Sequence, residues 1–70
     1  MQNVETQGEF QRIVLHAFGL RPVFRKVFLL CDVRGFTIAE TAAILGLSPG
    51  AVATSLDRAR REMNTQLAAR

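Results

Sequence analysis

The sequence predicts an all-α domain of four helices, and three observations carry that reading. Apolar residues recur at helical spacing in each segment long enough to form an element, and no segment alternates with the period of a strand. Glycine or proline punctuates the chain at Gly19, Pro22, Gly35, Gly46 and Pro49, leaving pieces of helical length. Two helix-start signals, Thr37 with Glu40 and Ser48 with Pro49, stand eleven residues apart with Gly46 between them. Seventy residues suffice for one small domain, 1–70, whose marginal core must recruit nearly every apolar side chain.

The first helix is expected over 9–18, where Phe10, Ile13, Val14, Ala17 and Phe18 complete one apolar face. Leu15 lies off that stripe and is expected to be exposed, and Gly19 stops the helix. Pro22 suits the first position of the second helix, where its missing N–H forfeits no bond. The following 23–33 segment is apolar on most sides, so this helix is either central or half-covered by a partner. Phe24 and Leu29, with Leu15 of the first helix, are the candidate partner-facing residues. Gly35 closes the second helix. Thr37 and Glu40 form a capping box that starts the third helix at Ile38 and carries it to Leu45. Gly46 fits the left-handed position that ends it.

Ser48 caps the fourth helix, with Pro49 first in it and Leu47 stapling onto Val52. That helix is expected to run from Pro49 to about Leu67, with Val52, Leu56, Ala59 and Met63 inward. One core is expected from Phe10, Val14, Phe18, Val27, Phe28, Ile38, Ala42, Leu45, Val52 and Leu56. The stretches 1–6 and 68–70 are expected as frayed edges.

Helix, tight glycine turn, helix over about 37–62 is a helix-turn-helix, whose usual job is to place its second helix in the DNA major groove. At about 100° per residue, the face opposite Val52, Leu56 and Ala59 is made of Gly50, Thr54, Asp57, Arg58 and Arg61. Ala51, Ala53, Ser55 and Arg60 flank it. Arginine can grip guanine at two atoms or clamp phosphate, and threonine can bond a base or the backbone. Asp57 only accepts hydrogen bonds, chiefly from cytosine N4. The candidate DNA-contacting residues are therefore Thr37, Ser48, Ala51, Thr54, Ser55, Asp57, Arg58, Arg60 and Arg61. The same face also reads as a solvated surface, because Asp57–Arg61 and Arg58–Glu62 are spaced to pair along the helix, the first in the preferred acid-first order.

A net charge of +3 and an isoelectric point near 10.5 suit an anionic partner. The single cysteine excludes an internal disulfide and a cysteine-based zinc site, and Cys31 on the apolar second helix reads as a core thiol. His16 lies off the apolar face with no second ligand nearby, and the phenylalanines read as core. Glu5, Glu9, Asp32, Glu40 and Glu62 show no pairing suited to acid–base work. No nucleophile–base set, phosphate loop or metal spacing is present, so neither an enzyme nor a cofactor is expected. No apolar run approaches the roughly twenty residues of a membrane span, nor is there a signal-peptide pattern. A cytoplasmic protein without a membrane or small-molecule partner is expected.

From Leu20 onward the chain resembles region 4 of bacterial sigma factors, specifically the extracytoplasmic-function group. The resembling text is FLLCDVRGFT, the AAILGLSPGAV turn, and the RARRE run after Leu56, within a stretch covering about two thirds of the chain. The resemblance implies a domain that recognises the −35 promoter element with its last helix and packs on the flap of the RNA polymerase β subunit, where an anti-sigma factor can compete. The family pattern usually has lysine at Ala53, arginine at Ser55, and a neutral or basic residue at Asp57, so these departures shift the DNA face toward negative charge. Two alternatives stand beside promoter recognition. One is an interaction module of the same fold that binds the flap or an anti-sigma factor with weakened DNA affinity. The other is the output domain of a LuxR-type response regulator, although Arg58 and Arg61 would repel across the two-fold axis such a regulator needs.

Overall fold

The computed structural model describes residues 4–68. Helix α1 spans Val4–Ala17, α2 spans Pro22–Phe28 and passes into a π-helical turn over Leu29–Val33, α3 spans Ile38–Leu45, and α4 spans Pro49–Ala68. The architecture is the expected all-α one, with no strand among the described residues.

The termination signals act as their chemistry dictates. Thr37 Oγ1 accepts the Glu40 N–H at 3.0 Å while Glu40 Oε1 accepts the Thr37 N–H at 2.9 Å, so both arms of the capping box are closed. Gly46 has φ +70°, a conformation that costs a residue with Cβ about 1–2 kcal/mol. That geometry lets the Leu47 N–H reach back to the Ala42 carbonyl at 3.0 Å. Ser48 Oγ accepts the Ala51 N–H at 3.1 Å and opens α4. Thr37→Ala should cost about 1 kcal/mol and lower Tm by about 4–8 °C. A circular-dichroism melt checks this, and an unchanged Tm would show that the box adds nothing.

Helices α2 and α4 form the central pair, with α1 and α3 packed on α4 and the π turn on α3. The interior divides into two clusters along that pair. One holds Ala17, Leu20, Phe28, Ala59 and Met63, ringed by Ile13, Phe24, Leu29, Val33 and Leu67. The other holds Val27, Ala42, Val52 and Leu56, with Cys31, Leu45 and Leu47 against it. Adjacent residues Val27 and Phe28 thus serve different clusters, which makes α2 the wall between them. Thr41 is fully buried beside the second cluster, and its hydroxyl lies 3.2 Å from the Cys31 sulfur.

Several expectations are corrected. The single core is two clusters, and Phe10, Phe18 and Ile38 lie outside both, exposed by 54%, 59% and 37%. Val14 and Leu45 are half-buried. The cause is shape: the fold is a flat slab, with extents of 38 × 29 × 14 Å. A slab this thin covers only one edge of α1, the edge carrying Ile13 and Ala17, and leaves Phe10 and Phe18 on an open side. The Arg25 guanidinium, 5.6 Å from the Phe18 ring centre, partly shields that ring.

Helix α1 also begins at Val4, because the stretch VETQG is helical without any apolar periodicity to reveal it. The fray expected over 1–6 is therefore helix from Val4, and that expected over 68–70 is helix at Ala68. Residues 1–3, 69 and 70 lie outside the described residues. The second helix, expected to continue unbroken over 23–33, widens at Leu29, where the Arg34 N–H bonds the Leu29 carbonyl at 2.9 Å, five residues back.

Candidate nucleic-acid interface

Burial of Val52, Leu56, Ala59 and Met63 fixes the rotation of α4 about its axis. The opposite face then presents Gly50, Thr54, Asp57, Arg58 and Arg61, all exposed. Ala51 and Ala53 are exposed beside it, and Ser55 is half-buried at its edge. Thr37 and Ser48 stand exposed at the starts of α3 and α4, their hydroxyls closing the caps described above.

The three arginines of the RARR run each have a carboxylate partner. Arg61 Nε lies 3.1 Å from Asp57 Oδ2, and Arg58 Nε lies 3.5 Å from Glu62 Oε2. Arg58 also stands 6.0 Å from the centre of the Phe24 ring. Arg60 reaches off α4 altogether: its Nε and Nη2 donate to the two carboxylate oxygens of Asp32 at 2.8 and 2.7 Å. That bidentate bond holds the Arg60 guanidinium pKa above its ordinary value. The two pairs along α4 are exposed enough to be worth a few tenths of a kcal/mol at most.

Within 37–67 the three arginines stand against Glu40, Asp57 and Glu62, so this half of the chain carries no net formal charge. The excess of cations lies in 8–36, where Arg12, Arg21, Arg25, Lys26 and Arg34 face only Glu9 and Asp32. Asp32 is the residue that sequence reasoning missed. Its partner is 28 positions away, and a spacing of that size leaves no periodic signal.

Of the partner-facing candidates, Leu15 is 68% exposed on α1. Phe24 and Leu29 are half-buried against the first cluster. The apolar excess expected of the second helix is thus largely taken up by the two clusters, and Val23 is its one large apolar side chain left exposed. Open apolar surface sits instead at Phe10 and Leu15 on α1, at Phe18 just after it, and at Ile44 on α3. His16 donates from Nδ1 to the Arg12 carbonyl at 2.8 Å within α1. Among the described residues no group of three His, Cys, Asp or Glu side chains could hold a metal ion, and no helix is long and apolar enough to cross a membrane.

Residues 19–63 match the family model described as Sigma-70, region 4. The chain is also 37% identical over 49 residues to the ECF RNA polymerase sigma factor SigE of Mycolicibacterium smegmatis, an alignment covering 70% of this chain and 19% of that protein. The chain therefore spans about a fifth of the length of this relative. No solved structure matches it significantly.

Proposed function

The chain belongs to the sigma-70 region 4 family, as a sigma-factor DNA-binding domain of the extracytoplasmic-function type, and from that membership we propose that it recognises the −35 promoter element through α4. The observation that carries this reading is the open face of α4, on which Thr54, Asp57, Arg58 and Arg61 lie together, all exposed. In the major groove Arg58 and Arg61 grip guanine edges or phosphates, Thr54 bonds a base or the backbone, and Asp57 accepts from cytosine N4. Thr37 and Ser48 meet the phosphate backbone at the starts of the two helices, with Ala51 and Ser55 packing along the groove wall. Such a domain works in the cytoplasm, has no catalytic role, and needs neither a membrane nor a small-molecule substrate.

Fluorescence anisotropy on a −35-like duplex and a scrambled one tests this. Arg61→Ala should weaken binding and make the slope of log K against log salt shallower by about 0.9 if Arg61 meets a phosphate. Arg58→Ala should weaken it as well. Equal affinity for the two duplexes would overturn the reading.

A second reading is favoured by the internal pairing of all three arginines and the neutral charge of 37–67. In it the domain serves chiefly to hold RNA polymerase at the β flap, or an anti-sigma factor in its place, with Leu15, Phe24 and Leu29 at the interface. Capture of an isolated flap segment at roughly tens of micromolar supports that reading, and absence of binding counts against it.

A further inference from the structure

We infer that Asp32 is a positioning residue that withholds Arg60 from DNA phosphate and so sets how strongly α4 grips a duplex; the inference rests on α4 being the DNA-reading helix. At about 100° per residue, Arg60 projects roughly 80° from the line through Val52, midway between the buried and open faces. From there a side chain of its length can turn either way. It turns toward the π turn, where both oxygens of one carboxylate receive its Nε and Nη2.

This pair differs in kind from the other two. Asp57 and Glu62 sit on α4 itself, so a rotamer change releases Arg61 or Arg58 while both partners stay on the same surface. Asp32 belongs to another element and is more sheltered than its partner, its side chain 25% exposed against 56% for Arg60. It cannot follow the arginine out to the DNA. The wide turn of Leu29–Val33 sets where Asp32 projects, because each residue there advances less around the axis than in an α-helix. Phosphate must therefore compete with a preformed two-bond partner, and in this structure the carboxylate holds the guanidinium.

The test uses the whole 70-residue chain and a −35-like duplex, with anisotropy titrations at several salt concentrations. Asp32→Asn should tighten binding and steepen the salt slope by about 0.9, which corresponds to about a 3.5-fold larger loss of affinity between 50 and 200 mM salt. The gain should vanish when Arg60→Ala is added, and Arg60→Ala alone should change little. Glu9→Gln, which alters net charge equally but on the exposed side of α1, should leave the slope unchanged. Asp32→Ser repeats the measurement with a smaller side chain, and a thermal melt of each variant confirms that the fold stands. If Asp32→Asn binds no tighter than a parent that does bind, or if its gain survives in the Arg60→Ala background, the inference fails alone. If neither the parent nor any variant binds either duplex, the promoter reading fails with it.

Discussion

Val52→Asp should abolish the cooperative thermal transition of this domain. Val52 is fully buried, and its cluster of Val27, Ala42 and Leu56, with Cys31, Leu45 and Leu47 against it, holds no cation to pair with a carboxylate. An unpaired buried carboxylate costs at least several kcal/mol, whether it stays ionised or takes up a proton. A chain of this length has about 3.5–10 kcal/mol of stability in total, at 0.05–0.15 kcal/mol per residue. The substitution therefore consumes most or all of it. Ile44→Asp provides the contrast, because Ile44 is 54% exposed on α3 and its replacement should move stability by no more than about 0.5 kcal/mol. Circular dichroism against temperature reads both. A cooperative melt near the parent's in Val52→Asp would mean that α4 presents a different face to the interior.

What the sequence disclosed and what it hid follow from the range of the physics involved. The capping box, the left-handed Gly46 and the Ser48 cap are each settled within about four residues, so they were legible. Together they define the turn between α3 and α4, and they fix the start of α4. From that start the apolar spacing of Val52, Leu56, Ala59 and Met63 gives the rotation of the helix, and with it the exposed face. The text that resembles region 4 of sigma factors lies in the same stretch as the family match.

Long-range properties left no such mark. Periodicity shows that Phe10, Val14 and Phe18 share a stripe, but not whether so flat a fold has anything to lay against it. Helical spacing across 23–33 does not show that the turn widens at Leu29, since one extra residue shifts the phase without changing the composition. The bond between Asp32 and Arg60 depends on that phase and on the crossing of α2 with α4. It exists only in three dimensions.

Ala53→Lys with Ser55→Arg should steepen the salt dependence of DNA binding by about 1.8, if each new cation meets one phosphate. That slope corresponds to about a twelvefold greater loss of affinity between 50 and 200 mM salt, on top of tighter binding at the lower end. The prediction follows from the charge distribution. The half of the chain that carries the helix-turn-helix has three cations and three carboxylates, and each of its arginines has a carboxylate partner. Few phosphate contacts should therefore form in the parent, whose slope should be shallow. Ala53 is exposed, so a lysine there costs no packing. Ser55 is half-buried, but an arginine can lay its stem along the helix edge and keep its head in water. Asp57→Ser should add to the gain, because it removes a carboxylate from the DNA-facing side and releases Arg61 from its partner 3.1 Å away. Anisotropy titrations on the −35-like and scrambled duplexes at several salt concentrations measure both variants and their combination. A parent that already binds the specific duplex tightly with a steep slope would refute the weak-binding reading. In that case Asp57 faces the groove to read a base, and the arginines leave their carboxylates when DNA arrives.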